Sequence, residues 1–99
     1  MNKYPTEITD AILEQNKHIP DDEIRKDIAD TLAEIAQAEQ AITGYEAEAQ
    51  LKGMPHAKMA LFRADGHRLT NQDRRLFVNF LNKLLDARKE KDGKATEGR

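Results

Sequence analysis

Cysteine, tryptophan and serine are absent from this 99-residue sequence, and only five residues are aromatic: Tyr4, Tyr45, Phe62, Phe77 and Phe80. Without cysteine, the chain has no disulfide and no thiolate metal site, which favours a reducing cytoplasm as its location. Without serine and cysteine, catalytic triads built on either nucleophile are excluded. These absences remove much of the usual machinery of an enzyme.

Long apolar runs are also missing. No stretch approaches the roughly 18 consecutive apolar residues that read as a membrane-spanning helix, and no apolar run follows a basic start at the N-terminus. We therefore expect neither a signal peptide nor membrane association. Charged residues make up 34% of the chain, against about a quarter in an average globular domain. This balance is typical of elongated helices with much surface per residue.

Patterns that bind metals or cofactors are weak. Glu14 and His18 lie four residues apart, and Asp65 and His67 form a second loose group with His56. Neither group supplies the three or four ligands of a metal site, and no glycine-rich phosphate loop is present. We expect these side chains to lie at the surface or at helix ends. The sequence thus predicts no catalytic residue, no metal and no cofactor, and a protein that is not an enzyme.

The clearest positive signal is a long segment, residues 20–52, without an internal proline. It opens with Pro20 and three carboxylates, a composition typical of a helix N-terminus. Isoleucine then recurs every seven residues from Ile28 to Ile42, which predicts a coiled-coil-like apolar seam. Gly44 costs about 1 kcal/mol inside a helix, and we still expect one unbroken helix. Gly53 is placed to take the left-handed cap that ends it.

Three further helices are predicted. Two are short, over about 5–17 and 56–64, and Asp65-Gly66 is read as the turn that closes the second. The last helix, about 71–90, has Thr70 as a candidate N-cap. Its apolar residues cover about 200° of the helical wheel, wide enough to contact two surfaces.

The predicted fold is all-α: a long helical hairpin of 20–52 against 71–90, with two short bracing helices and a dimeric bundle as a further expectation. Residues 1–91 are predicted to form a single helical domain, with 1–3 loose and 92–99 a polar, flexible tail. The predicted core comprises Ile28, Leu32, Ile35, Ile42, Leu76, Phe77, Phe80, Leu81, Leu84 and Leu85.

The net charge of −2 conceals an asymmetry between the two halves. Residues 1–53 carry 12 acidic and 5 basic side chains, whereas residues 54–99 carry 6 acidic and 11 basic ones. One interpretation is internal: an acidic and a basic helix pack antiparallel and screen each other. Arg74 falls on the apolar arc, so we expect it to pair with an acid such as Glu39 or Glu46. The other interpretation is external, with one charged face meeting a partner.

The first candidate site is an acidic face of the long helix, expected opposite the apolar seam. A line of carboxylates on a rigid helix can imitate the charge track of a nucleic acid and occupy a protein's basic groove. The candidate partner-binding residues are Asp27, Asp30, Glu34 and Glu48.

The second candidate site lies in residues 55–88, where two helices around a turn resemble the outline of a helix-turn-helix. The link between them is longer than the usual three or four residues. The side chains around the start of its second helix are of types that contact bases and phosphates. The candidate nucleic-acid-binding residues are Arg68, Asn71, Gln72, Arg74 and Arg75.

Two function classes follow. The sequence favours a small non-enzymatic protein that binds another protein, as an adaptor or as an inhibitor, for example of a nucleic-acid-handling machine. The alternative is a nucleic-acid-binding regulator. We also expect a homodimer, because the seam and the wide last helix present more apolar face than one thin hairpin can bury.

Overall fold

A computed structural model describes residues 4–97, with side-chain detail through residue 92. Three helices make up these residues: α1 (Asp10–Asn16), α2 (Asp21–Lys52) and α3 (His56–Glu97). The two long helices pack against each other, so the predicted all-α hairpin is confirmed. In the part of the chain that is described, none of the helices has the length and apolarity needed to cross a membrane.

Helix α2 has nearly the predicted bounds. It begins directly after Pro20, with three acidic residues in its first turn, and runs through Gly44 without a break to Lys52. Gly53 follows with a φ of 64°, the left-handed conformation expected of a glycine cap. The local signals at the two ends of this helix were therefore sufficient to predict it.

Helix α3 corrects the prediction for the second half of the chain. His56–Glu97 is one continuous helix, so the turn predicted at Asp65-Gly66 is wrong and the helix-turn-helix outline is absent. The hydroxyl of Thr70 does not cap a new helix but donates to the Gly66 carbonyl at 3.0 Å, within the same helix. Asp65 and Arg68 form an ion pair along this stretch at 2.7 Å.

The ends of the chain differ from the prediction as well. Helix α3 continues to Glu97, beyond the predicted end near residue 90 and into the segment expected to be a tail. Helix α1 starts at Asp10 rather than near Pro5, because the Thr9 hydroxyl accepts a hydrogen bond from the Ile12 amide at 3.3 Å and caps the helix there. The predictions for residues 1–3 and 98–99 lie outside the described residues.

The chain forms two compact units, of which unit 1 comprises the residues up to Asp30 and those from Leu76 onward. Its core is built on Ile24, Leu81 and Leu84, which are buried. The ring of Tyr4 stacks on Phe80, with centroids 5.4 Å apart. Partly buried apolar side chains pack around this core: Ile8, Ile12, Leu13, Ile19, Ile28, Phe77, Phe80 and Leu85.

One arginine connects all three helices within unit 1. The guanidinium of Arg88, on α3, donates to the Asp21 carboxylate at the start of α2 at 2.6 Å. Its other terminal nitrogen donates to the Asn16 carbonyl at the end of α1, also at 2.6 Å. A planar guanidinium suits this double contact because its donors are fixed in a fork.

Unit 2 spans Thr31–Arg75 and has a different interior. Apart from two isoleucines, its buried residues are small or polar: Thr31, Ile35, Ala38, Ile42, Ala60, Ala64 and Asn71. Leu32, predicted as core, is instead 50% exposed. The buried line of α2 passes through Thr31 and Ile35, so the next position after Thr31 is turned about 100° away from α3.

We expect Phe80→Ala to lower the free energy of unfolding by about 3 kcal/mol, the lower end of the range for buried aromatics, because Phe80 is only partly buried. Leu32→Ala is the matched control and is expected to cost about 1 kcal/mol or less, because half of this side chain is already in water. Urea titrations followed by circular dichroism measure both. Equal losses would contradict the described cores.

Alanine substitutions at the two glycines near the end of α2 are expected to change the stability of the fold in opposite directions. Gly53→Ala is expected to destabilise the fold by about 1 kcal/mol, because a Cβ is strained at a left-handed φ. Gly44→Ala is expected to stabilise it by up to about 1 kcal/mol, because the helix there is regular and an added Cβ meets no atom within 4 Å. Thermal unfolding would show shifts of opposite sign. A stabilising Gly53→Ala would contradict the cap.

Candidate functional site

Large apolar side chains are exposed at several places in unit 2, with Leu51 on α2 85% exposed, and three of them lie on one side of α3. Phe62 is 75% exposed, Leu69 64% and Met59 57%. Spacings of three and seven residues place these three on one helix face, which we call the apolar face of α3. The buried residues of the same helix segment, Ala60 and Ala64, lie on the other side. The apolar face of α3 thus points away from α2.

A shallow apolar groove lies within this surface. It is lined by Pro55, Lys58, Met59 and Phe62 at the start of α3. A flexible methionine beside an aromatic ring is well suited to contact partners of varied shape. Contiguous exposed apolar side chains of this size mark interaction sites in folded proteins. Met54, in the turn before the groove, is also largely exposed.

Sequence reasoning missed this surface for an identifiable reason. The prediction placed Met59 and Phe62 in a short helix over about 56–64 and Leu69 in the link after it, so the three did not share one helix. The signal that could have found it is the spacing of three and seven residues between Met59, Phe62 and Leu69, which puts all three on one face if residues 56–69 form a single helix.

A buried polar cluster fixes the contact between α2 and α3 in unit 2. Asn71 is 1% exposed, and its amide nitrogen donates to the Ile35 carbonyl of α2 at 3.3 Å. Its amide oxygen accepts from the Arg74 guanidinium at 2.9 Å. Arg74 in turn lies 3.4 Å from the Glu34 carboxylate. A buried asparagine whose partners are all in place specifies one helix register over its alternatives.

Two more arginines predicted to contact nucleic acid also pair within unit 2. Arg75 donates to Glu39 at 2.7 Å, and Arg68 lies 3.1 Å from Glu46. With Asn71 and Arg74, four of the five candidate residues therefore have intramolecular partners, although Arg68 and Arg75 are exposed, and among the described candidates Gln72 is exposed without such a contact. These are the acid–base pairs that the internal interpretation of the charge asymmetry predicted, with Glu34 rather than Glu39 or Glu46 as the partner of Arg74.

Two of the four acidic candidate residues have a partner within the protein, and two do not. Glu34 pairs with Arg74, and Glu48 lies 3.7 Å from Lys52. Asp27 and Asp30 are exposed and have no side-chain partner among the described residues. The acidic face lies beside the buried stripe of α2, not opposite it, because Asp30 and Glu34 each come one residue before a buried position. This flanking placement is what lets Glu34 reach α3.

The loose metal-ligand groups do not converge. In the described part of the chain, no three His, Asp or Glu side chains come together in a way that could hold a metal ion. The ring of His67 stacks on Tyr45, with centroids 5.8 Å apart. Glu14 forms an ion pair with Lys17, one turn along.

Comparison with known proteins gives no guide to function. No family model, no curated protein and no solved structure matches the chain. The function must therefore be argued from the surfaces of this molecule alone.

We expect Asn71→Ala to lower the free energy of unfolding by about 1–3 kcal/mol, because it removes a buried side chain that bonds both the Ile35 carbonyl and Arg74. Gln72→Ala, the exposed neighbour, is the matched control and should change it by less than about 0.5 kcal/mol. Chemical denaturation followed by circular dichroism separates the two. Similar stabilities would show that the polar cluster does not hold α2 and α3 in place.

Proposed function

We propose that this is a small non-enzymatic protein that acts by binding another protein, and that the apolar face of α3 is its contact surface. One observation carries the proposal: Met59, Phe62 and Leu69 expose large apolar side chains on one face of a regular helix. Proteins do not usually leave a surface of this kind uncovered, since burying each such side chain is worth about 1.5–3 kcal/mol.

The composition of this surface supports the proposal. The core of a protein interface is depleted in charge and enriched in aromatic residues and methionine, whereas its rim is polar. Phe62 and Met59 supply such a core, and Lys58 and Arg63 flank it. An exposed aromatic side chain next to a groove is the typical anchor of an interface hot spot.

The acidic face takes a secondary role in this proposal. Glu34 and Glu48 already have internal partners, which leaves Asp27 and Asp30 for an external one. Exposed carboxylates on a rim contribute mainly to the rate of association and to partner choice. Whether binding serves an adaptor or an inhibitor stays a prediction, as does a cytoplasmic location. The homodimer expected from the apolar seam and the wide last helix stays a prediction as well.

We expect Phe62→Lys to abolish capture of a partner from an extract of the native host, because it puts a charge at the centre of the apolar face. The double variant Asp27→Asn/Asp30→Asn is the control and should retain the same protein as the unaltered chain. Affinity capture with mass spectrometry of the retained proteins measures this. The proposal fails if capture is insensitive to Phe62→Lys, and the reverse pattern would move the contact to α2.

A second experiment tests the alternative that the protein binds nucleic acid. Retention on duplex and single-stranded nucleic acid is measured across a salt series, and we expect none at physiological salt, because the arginines concerned are paired internally. Tight binding that falls steeply with salt, and that is lost in the Arg74→Ala/Arg75→Ala variant, would overturn the proposed function.

A further inference from the structure

Residues 4–16, which include α1, lie on the outside of unit 1, and we call them the N-terminal cover. None of the residues from Tyr4 to Glu23 is buried, and Ile24 is the first buried residue of the described chain. The partly buried side chains of Ile8, Ile12 and Leu13 pack against the core cluster of α2 and α3. The cover therefore rests on a core that other residues form.

The surface of α3 beneath the N-terminal cover is apolar. The Tyr4 ring lies 5.7 Å from the Phe77 ring and 5.4 Å from the Phe80 ring, measured between centroids. Leu81 and Leu84, which belong to the cluster on which the cover packs, are 6% and 1% exposed. Removing the cover would bring part of this cluster into water, at a cost proportional to its apolar area. Unit 1 therefore needs a cover, from its own chain or from another.

The polar contacts of the N-terminal cover with α3 include two that lie at the surface. The Lys83 ammonium donates to the Thr6 carbonyl at 3.2 Å, and the Lys91 ammonium lies 3.9 Å from the Asp10 carboxylate. Exposed charge contacts of this kind contribute little to stability. Local opening of a segment without buried residues costs less than unfolding of the core. The cover can therefore leave α3 while the two long helices stay paired.

A short connection joins the N-terminal cover to α2. Helix α1 ends at Asn16 and α2 begins at Asp21, which leaves the four residues 17–20 between them. Pro20 disfavours helical geometry at Ile19 and so keeps α1 and α2 from merging into one helix. Short connections of this kind favour exchange of the joined element between copies of a chain. Straightening residues 17–20 carries the cover away from its own α3.

We propose that unit 1 binds the N-terminal cover of a second copy of this chain in place of its own, so that two copies exchange residues 4–16 and form a dimer. The contacts of the exchanged form are those already described, such as Tyr4 on Phe80, now made between copies. Because both forms share these contacts, chain concentration decides between them. The chain's own cover acts at an effective concentration on the order of millimolar, as expected for a short tether.

Because the chain contains no cysteine, introduced cysteines report this exchange directly. Asp10→Cys and Lys91→Cys, both at exposed positions, are made in separate chains, one with an affinity tag. The two chains are mixed at about 1 mM, equilibrated and treated with a short bis-maleimide. We expect a covalent product with one copy of each chain, at least about fivefold more abundant than with Asp10→Cys and Lys58→Cys. Lys58 is an exposed residue of unit 2 and controls for random encounters. A yield equal to that control would overturn the inference.

The length of the connection offers a second test. Deleting Lys17 and His18 leaves two residues between α1 and α2, too few for the cover to return to its own α3. This variant is expected to be a dimer even at concentrations on the order of micromolar, because the competing closure is lost. Inserting four glycine and serine residues after His18 permits closure and should leave a monomer. Light scattering measures both, and a deletion variant that stays monomeric would overturn the inference.

Phe62→Lys separates this exchange from a dimer formed through the apolar face of α3. Phe62 belongs to unit 2, so the substitution should change neither the cross-linked yield nor the dimer of the deletion variant. Loss of either in Phe62→Lys would place the contact on the apolar face and overturn the inference. Exchange goes beyond the proposed function and fails separately from it, since Phe62-dependent capture of a host protein would uphold that function whatever the cross-linking shows.

Discussion

The register between α2 and α3 in unit 2 depends on one buried hydrogen bond, from the Asn71 amide to the Ile35 carbonyl. A buried amide has few acceptable positions, since leaving its donor or acceptor unpaired costs about 1–3 kcal/mol. Once Asn71 is fixed against α2, helical periodicity determines which side of α3 faces inward. Ala60 and Ala64 share that side and are buried, so Met59 and Phe62 are turned outward. The exposed apolar face is therefore a consequence of the polar contact inside.

The two units use their apolar residues differently. Unit 1 buries large side chains such as Ile24 and Leu84 in one cluster, whereas the interior of unit 2 has only two isoleucines beside alanines, a threonine and an asparagine. Small side chains allow close helix contact but remove little apolar surface from water. Met59, Phe62 and Leu69 lie outside this interior. Such a distribution is costly for an isolated fold and suits a molecule that gains stability from a partner.

The sequence predicted well those features that depend on residues within one helical turn, and less well those that depend on packing between helices. Pro20, the acids after it and Gly53 act within one turn of the ends of α2, so they predicted that helix well. The same rules failed at Gly66, because a mid-helix glycine costs only about 1 kcal/mol and the packing of α3 along α2 outweighs that penalty. The break predicted there divided the apolar stripe of α3 between a bracing helix and a linker. Because of that single error, the apolar face of α3 was not predicted.

The charged residues also fall into two groups, those paired within the protein and those without a partner at its surface. Within unit 2, Glu34, Glu39 and Glu46 each meet an arginine of α3, so much of the opposite charge of the two halves is compensated internally. The charged side chains that have no partner therefore indicate possible external contacts better than the net charge of each half does. A charge that is paired within the protein contributes little electric field at a distance. Five cations form no ion pair among the described residues, namely Lys26, Lys58, Arg63, Lys83 and Lys89, and two of these, Lys58 and Arg63, flank the apolar face of α3. A partner that covers Phe62 must pass these two cations, and one with carboxylates there avoids leaving them desolvated and unpaired, which is the larger electrostatic cost.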